Sequence, residues 1–169
     1  MDLKERVRLA FEKHPSAMTP HLAAELGITE CEVIRHMPAD RSVELDIEKW
    51  EALIRDFETI GRVHVICNTG TVTLEANGEF GNFSTWGSYF NVQTKTLDMH
   101  IQFARLAAVF AVEKPSHMDK APTLSFQFFD VDGKSAFKVF LNFGGGVSEE
   151  RRKLFDTIRD RYRRTPVQA

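Results

Sequence analysis

Between residues 88 and 110 the chain reads SYFNVQTKTLDMHIQFARLAAVF, which places a phenol, Tyr89, and an imidazole, His100, in an alternating pattern. Tyr89, Asn91, His100 and Gln102 alternate with Phe90, Val92, Ile101 and Phe103, the period of a strand with one buried face. The polar turn around Lys95 and Thr96 divides the segment into two strands. If that turn is even-membered, Asn91 pairs with His100 and Tyr89 with Gln102, and paired residues project from the same face. Tyr89 and His100 are then diagonal neighbours, roughly 7 Å apart at the backbone. An odd-membered turn puts them on opposite faces. RVHVICN supplies a comparable polar face, with Arg62, His64 and Asn68 alternating with Val63, Val65 and Cys67. Two readings stand. One is a half-solvated antiparallel sheet with its polar residues outward. The other is a ligand cleft, because His and Tyr both serve as axial ligands of haem iron, and 14 Phe against 2 Tyr and 2 Trp suit a porphyrin face.

Other chemistry is thinly represented. GxSxG, HExxH and a histidine pair at i, i+4 are all absent from the sequence. Cys67 alternates with Val63 and Val65, which marks a core thiol. Cys31 and Cys67 form no CxxC and are too few for a disulfide framework, so a reduced, cytoplasmic protein is expected. A formal charge of -2 argues against bulk attraction to nucleic acid or anionic membranes. The stretch TPHLAAELGITECEVIRHMP has the pattern of a DNA-binding helix-turn-helix, but its second helix offers Glu30, Glu32, Arg35 and His36, a near-neutral face. Three glycines at 144–146 precede a helix, yet Glu149 and Glu150 at its start would repel a phosphate, which leaves a flexible connector. MDLKERVRLAFEKH lacks an apolar signal-peptide region, and Leu106 to Val112 is far short of a membrane span. A soluble intracellular protein is expected.

The elements that must position Tyr89 and His100 follow from the change of period. Leu3, Val7, Ala10 and Phe11 recur at helical spacing before Pro15. Thr19 is expected as an N-cap with Pro20 at the first helical position, Gly27 as a C-cap, and Thr29 as the cap of ECEVIRHM. A further helix is expected from Asp46 to Ile60, with Ile47, Trp50, Leu53, Ile54 and Phe57 on one stripe. After Gly61 the period becomes two through RVHVICN, TVTLEA, SYFNVQ, MHIQFA, LAAVFAV, LSFQFFDV and SAFKVFL, with NGEFGNFSTWG as a turn-rich loop and Asp132-Gly133 as a hairpin turn. Ser148 caps a last helix with Glu in its first turn and Arg at its end. The expected class is α+β in a single domain of residues 1–169. N-terminal helices occupy 1–60, an antiparallel sheet of about seven or more strands 61–143, and a C-terminal helix 147–164. Phe-rich strands such as LAAVFAV and LSFQFF would leave an apolar face or an open edge in water, so a homodimer is expected.

The segments EVIRHMP, GRVHVI, GEF, YFNV, MHIQFARLAAVFAVEKP and FQFFDVDGKSAFKVFL, in this order and spacing, resemble the HutX/ChuX family of cytosolic haem-utilisation carrier proteins over nearly the whole length. Phe128-Phe129, then Gly133, then Lys138-Val139-Phe140 form the C-terminal signature of that resemblance. It implies a bacterial, cytoplasmic, haem-binding dimer whose sheets associate into a barrel-like assembly, as also occurs within one chain in larger relatives. It implies haem b as the ligand, accepted after import and passed to a haem-degrading or storage partner, with no nucleic acid and no membrane insertion. His100 matches the family's axial histidine in the HI strand, and Tyr89 matches the tyrosine of its YFN segment. Asn68 stands where the family has a second histidine, so ligation by two histidines is not carried over; His64, four residues earlier on the same strand face, is the accessory candidate, and Arg62 a cation for the propionates. FETIGRV also departs from the family's Trp before that glycine, and LNFGGG from a more charged strand end. The alternatives are a haem-degrading or haem-reducing enzyme with an external electron donor, since no flavin or nicotinamide fingerprint is present, and a helix-turn-helix regulator.

Overall fold

Nine strands in two sheets, with five α-helices, make up residues 1–166, the part of the chain that the computed structural model describes; residues 167–169, the end of the expected domain, lie outside it. The helices are α1 Leu3–Lys13, α2 Thr19–Leu26, α3 Glu30–Arg35, α4 Trp50–Asp56 and α5 Glu149–Tyr162. The strands are β1 Ser42–Leu45, β2 Arg62–Asn68, β3 Thr73–Glu79, β4 Phe83–Trp86, β5 Tyr89–Gln93, β6 Asp98–Gln102, β7 Leu106–Pro115, β8 Pro122–Asp130 and β9 Ser135–Phe140. One sheet has the order β1-β7-β8-β9-β2-β3 and the other β4-β5-β6, and every pairing is antiparallel. The α+β class with helices at both ends is as the sequence suggests.

Local chemistry explains the helix ends. Asp2 and Ser148 each accept a backbone N–H three residues on, and Thr29 with Glu32 forms a reciprocal capping box. Gly27 ends α2 in the left-handed conformation, φ 66°. Thr19 is not the cap. Its backbone is already helical, Met18 precedes it at the cap position, and its buried hydroxyl donates to Glu30 at 2.6 Å instead. Two segments differ more. Residues 42–45, inside the stretch expected to be helical, form β1, which pairs with β7 from Ser42↔Val112 to Leu45↔Val109. The expected helix from Asp46 to Ile60 is a tight 3₁₀ turn over Ile47–Lys49, then α4, then a second such turn over Phe57–Ile60. The loop NGEFGNFSTWG contains the end of β3 and all of β4, and β4 adds a strand to β5.

The six-stranded sheet is buried on both sides at β7 and β8. Val109, Ala111, Phe126 and Phe128 join the larger core with Leu53, Ile54 and Phe57 of the segment leading to β2 and Phe155 of α5. Ala108, Phe110, Val112 and Phe129 face the other way, onto Val7, Phe11, Leu22, Val33 and Ile34 of α1–α3. The Phe-rich strands are therefore covered within one chain, and they supply no argument for a dimer. Beyond β8 the helical layer is held by the tip of the β8–β9 hairpin. Cys31 N donates to Gly133 O at 3.2 Å, and a Cβ on Gly133 would meet the Thr29 side chain at 2.8 Å. With φ at 75°, position 133 requires glycine on both counts.

Phe57 is fully buried with its ring 5.3 Å from Phe80 and 5.1 Å from Phe126, so it joins the two sheets' shared core to the main sheet. Replacing it with alanine removes a large apolar surface and leaves a cavity. Urea unfolding of Phe57→Ala is expected to show a loss of about 3–5 kcal/mol.

Candidate functional site

The turn over residues 94–97 decides the geometry of Tyr89 and His100. Thr94 N donates to Leu97 O at 2.8 Å, and Leu97 N to Thr94 Oγ1 at 3.0 Å. This even-membered hairpin pairs Asn91 with His100 and Tyr89 with Gln102. Strand β4 extends the rows by pairing Ser84 with Asn91 and Trp86 with Tyr89. The three-stranded sheet packs one face into the core, and on the other only Asn91 is buried among the row it shares with Ser84 and His100. Phe90, Val92 and Ile101 point inward, where Trp50 meets the Phe90 ring edge-on at 5.2 Å and the Arg55 guanidinium lies 5.3 Å from that ring's centre. On the outer face Trp86 is 82% exposed and Tyr89 41%, and the His100 side chain is 54% exposed. The donors thus sit on an open face of a half-solvated sheet rather than in a slot lined by phenyl rings.

A short hydrogen-bonded chain crosses this face. Asn91 Nδ2 donates to Ser84 Oγ at 3.2 Å, and Asn91 Oδ1 lies 2.7 Å from His100 Nδ1. On the far side of the ring, Nε2 is 3.3 Å from the Asp98 carboxylate. The even-membered turn brings Tyr89 and His100 together beside Asn91, and the structure adds Ser84 and Trp86, whose places were hidden because β4 reads as a loop.

His64 and Arg62 lie on a different sheet. His64 Nδ1 is 3.1 Å from Asn77 Oδ1, and its ring stacks on Phe143 with centroids 4.1 Å apart. Its Nε2 is buried with no hydrogen-bond partner among the described residues, 3.7 Å from Glu75 Oε1. Arg62 is exposed, and its carbonyl accepts from Arg151 at 2.6 Å. The same sheet face borders a cleft of about 780 Å³ between α2, the start of α3 and the uncovered part of the six-stranded sheet. Ile66, Asn68, Phe140 and Phe143 line it, with Lys114, Gln127 and Lys138. Tyr89, His100, Arg62 and His64 are not among its lining residues, although Phe143, stacked on His64, is.

Charge is unevenly handled in the cleft. Lys138 is ion-paired with Glu30, which also accepts from Thr19, so α2 and α3 are clamped to β9. Among the described residues Lys114 has no carboxylate partner; its ammonium donates to the Pro115 carbonyl at 3.0 Å. Burial, then the positive charges of Lys138 and Arg41, push its pKa down to about 8. Gln127 is buried with Nε2 on Ser125 and Oε1 unpartnered. A glutamine and a lysine interrupting the apolar runs LSFQFF and SAFKVF were the sequence signals for this cleft. Burial also raises the thiol pKa of Cys31 and Cys67, which makes both poor nucleophiles. Among the described residues no group of three or more His, Cys, Asp or Glu is arranged to hold a bare metal ion. No helix among them is long and apolar enough to cross a membrane.

The family model described as haem utilisation ChuX/HutX matches residues 43–158, a span that contains both sheets, apart from Ser42, and most of α5. The chain belongs to this family. It is 22% identical over 159 residues to the intracellular heme transport protein HutX of Vibrio cholerae, an alignment covering 90% of this chain and 76% of that protein. The crystal structure of ChuX superposes with a TM-score of 0.82 at 22% identity, over 95% of this chain and 98% of the other. Holo-PhuS, a heme-binding protein from Pseudomonas aeruginosa, superposes with a TM-score of 0.80 at 21% identity over 99% of this chain but only 46% of its own. These two structures share the fold.

Lys114 gives a test of the cleft electrostatics. A lysine whose folded pKa is about 8 and whose ordinary value is 10.5 destabilises the fold fully below pH 8. Between about 8 and 10.5 the unfolded chain holds the extra proton, so stability rises with pH and the penalty disappears. Lys114→Met is expected to be more stable than wild type at pH 7, with the gap in urea midpoint closing towards pH 10.5. A gap that stays constant across that window would contradict the assignment.

Proposed function

We propose that the chain is a bacterial cytoplasmic carrier of haem b, taking haem after import and passing it to a haem-degrading or storage partner. The observation that carries this reading is His100, an exposed imidazole whose Nδ1 faces an amide oxygen, so that Nε2 is the nitrogen left for iron. A porphyrin supplies four equatorial nitrogens itself, so one or two protein donors suffice and no three-residue metal cluster is needed. In this reading His100 is the first axial ligand and Tyr89, its diagonal neighbour, the second choice. The Trp86 ring offers apolar surface beside them, and Arg62 is a candidate cation for a propionate. His64 is an accessory ligand only where Phe143 leaves its ring.

Exposure suits a cargo. An iron ligand on an open face can be approached by an acceptor protein while the haem is still attached, whereas a fully enclosed pocket must first open. The same exposure is the reason to expect a second copy of the chain. PhuS is about twice the length matched by this fold, and a homodimer would place two such units together. The proposed dimer covers the edge of this sheet at Trp86 on β4, the largest aromatic exposure in the described residues, and leaves the opposite edge at His100 on β6 open to an acceptor.

Haemin titration of wild type beside His100→Ala and Tyr89→Phe tests the ligand assignment. His100→Ala is expected to move the Soret maximum and to weaken binding by at least about tenfold, or 1.4 kcal/mol. If neither variant changes the spectrum or the affinity, the assignment is wrong. Sedimentation at micromolar concentration tests the assembly, with a species of twice the chain mass expected and a clean monomer counting against it.

A further inference from the structure

Two histidines on two different sheets are each faced by an asparagine at the directly opposed strand position. His100 pairs with Asn91 and His64 with Asn77. In both pairs the asparagine oxygen meets Nδ1, at 2.7 Å and 3.1 Å. An amide oxygen only accepts, so such a contact is a hydrogen bond when Nδ1 carries a proton, the tautomer that leaves the ring's lone pair on Nε2. Side chains directly opposed across an antiparallel pair stand roughly 4.5–5.5 Å apart at Cβ, the right reach for this contact and for no longer side chain.

We propose that Asn91 is a positioning residue that selects the Nδ1–H tautomer of His100 and so aims Nε2 at iron. The inference rests on the haem-carrier reading for its purpose, but the tautomer itself does not. Asn91 is 7% exposed, and Ser84 Oγ accepts from its Nδ2, which turns the amide oxygen towards the imidazole. The opposing influence is Asp98, whose carboxylate at 3.3 Å from Nε2 favours a proton there. Asp98 is 67% exposed and exchanges that contact for water at little cost. A buried Asn91 oxygen facing an imidazole lone pair has no such exchange open to it, so the amide prevails. Haem binding then displaces Asp98 from Nε2 and leaves the Asn91 contact intact.

The test is ¹⁵N NMR of the apo protein above the imidazole titration, with the His100 resonances identified by their loss in His100→Ala. Wild type and Asn91→Asp, which keeps an acceptor, are expected to carry the proton on Nδ1, and Asn91→Leu on Nε2. Haemin binding is expected to weaken about 10- to 100-fold in Asn91→Leu, to be retained in Asn91→Asp, and to be unchanged or tighter in Asp98→Asn. Should Asn91→Leu fail to fold, Ser84→Ala frees the amide to turn and is expected to mix the two tautomers. An Nε2–H tautomer in the wild type, or one unmoved by both the Asn91 and Ser84 variants, overturns the proposal. A tautomer that moves as described while His100→Ala binds haemin normally sustains the positioning role and removes the haem reading instead.

Discussion

Strands β7 and β8 set the constraint on which the rest depends. Their side chains divide alternately between two separate apolar clusters, with Phe126 and Phe128 on one side and Phe110 and Phe129 on the other. A slip of one residue would exchange the two sets and bury the wrong volumes on both faces at once. An antiparallel sheet more often has one wet face, so this double burial is unusually strict about register. It fixes where β1 docks, where the helical layer sits, and how far the layer reaches across the sheet. The N-terminal helices cover β7 and β8 and stop short of β2 and β3, and that shortfall is the cleft.

The second sheet is built to a different rule. It spends its apolar side chains on a single face, against Trp50 and the shared core, and leaves Trp86, Tyr89 and His100 in solvent. The chain thus separates the proposed donors from concavity. The candidate side chains stand on an exposed sheet face, while Lys114, Lys138 and the enclosed volume belong to the main sheet. An enzyme gains from collecting such groups in one dry pocket, where water is excluded and charge interactions are strong. A protein that must give up its ligand gains from keeping them apart.

Much of this was legible in the residues. The hairpin linking β5 and β6 was readable because TKTL has polar turn chemistry between two alternating runs, but the sequence left its parity open, and the observed register is what puts Tyr89 and His100 on one face. The cap at Thr29 and the final helix were equally plain. Strand β1 was not, because four residues flanked by helices carry no period of their own, and the partner β7 is some sixty residues away. Strand β4 was hidden by the glycines around it, which signal turns more strongly than FSTW signals a strand. The expectation of an uncovered Phe surface failed for a related reason. Alternation shows that a strand has two kinds of face, but not that a distant helix layer covers the second one.

The contact of Gly133 with Thr29 has a consequence for how the cleft is entered. The hairpin tip and the start of α3 touch so closely that no side chain fits between them, and the backbone bond from Cys31 pins the junction. The upper jaw is therefore bolted at its back edge, with the Glu30–Lys138 clamp as a second bolt. A visitor to this space cannot wait for the jaw to swing. Whatever enters meets walls already set in place, with Asn68, Thr69, Gly70 and Thr73 at the β2–β3 turn among the residues that border it.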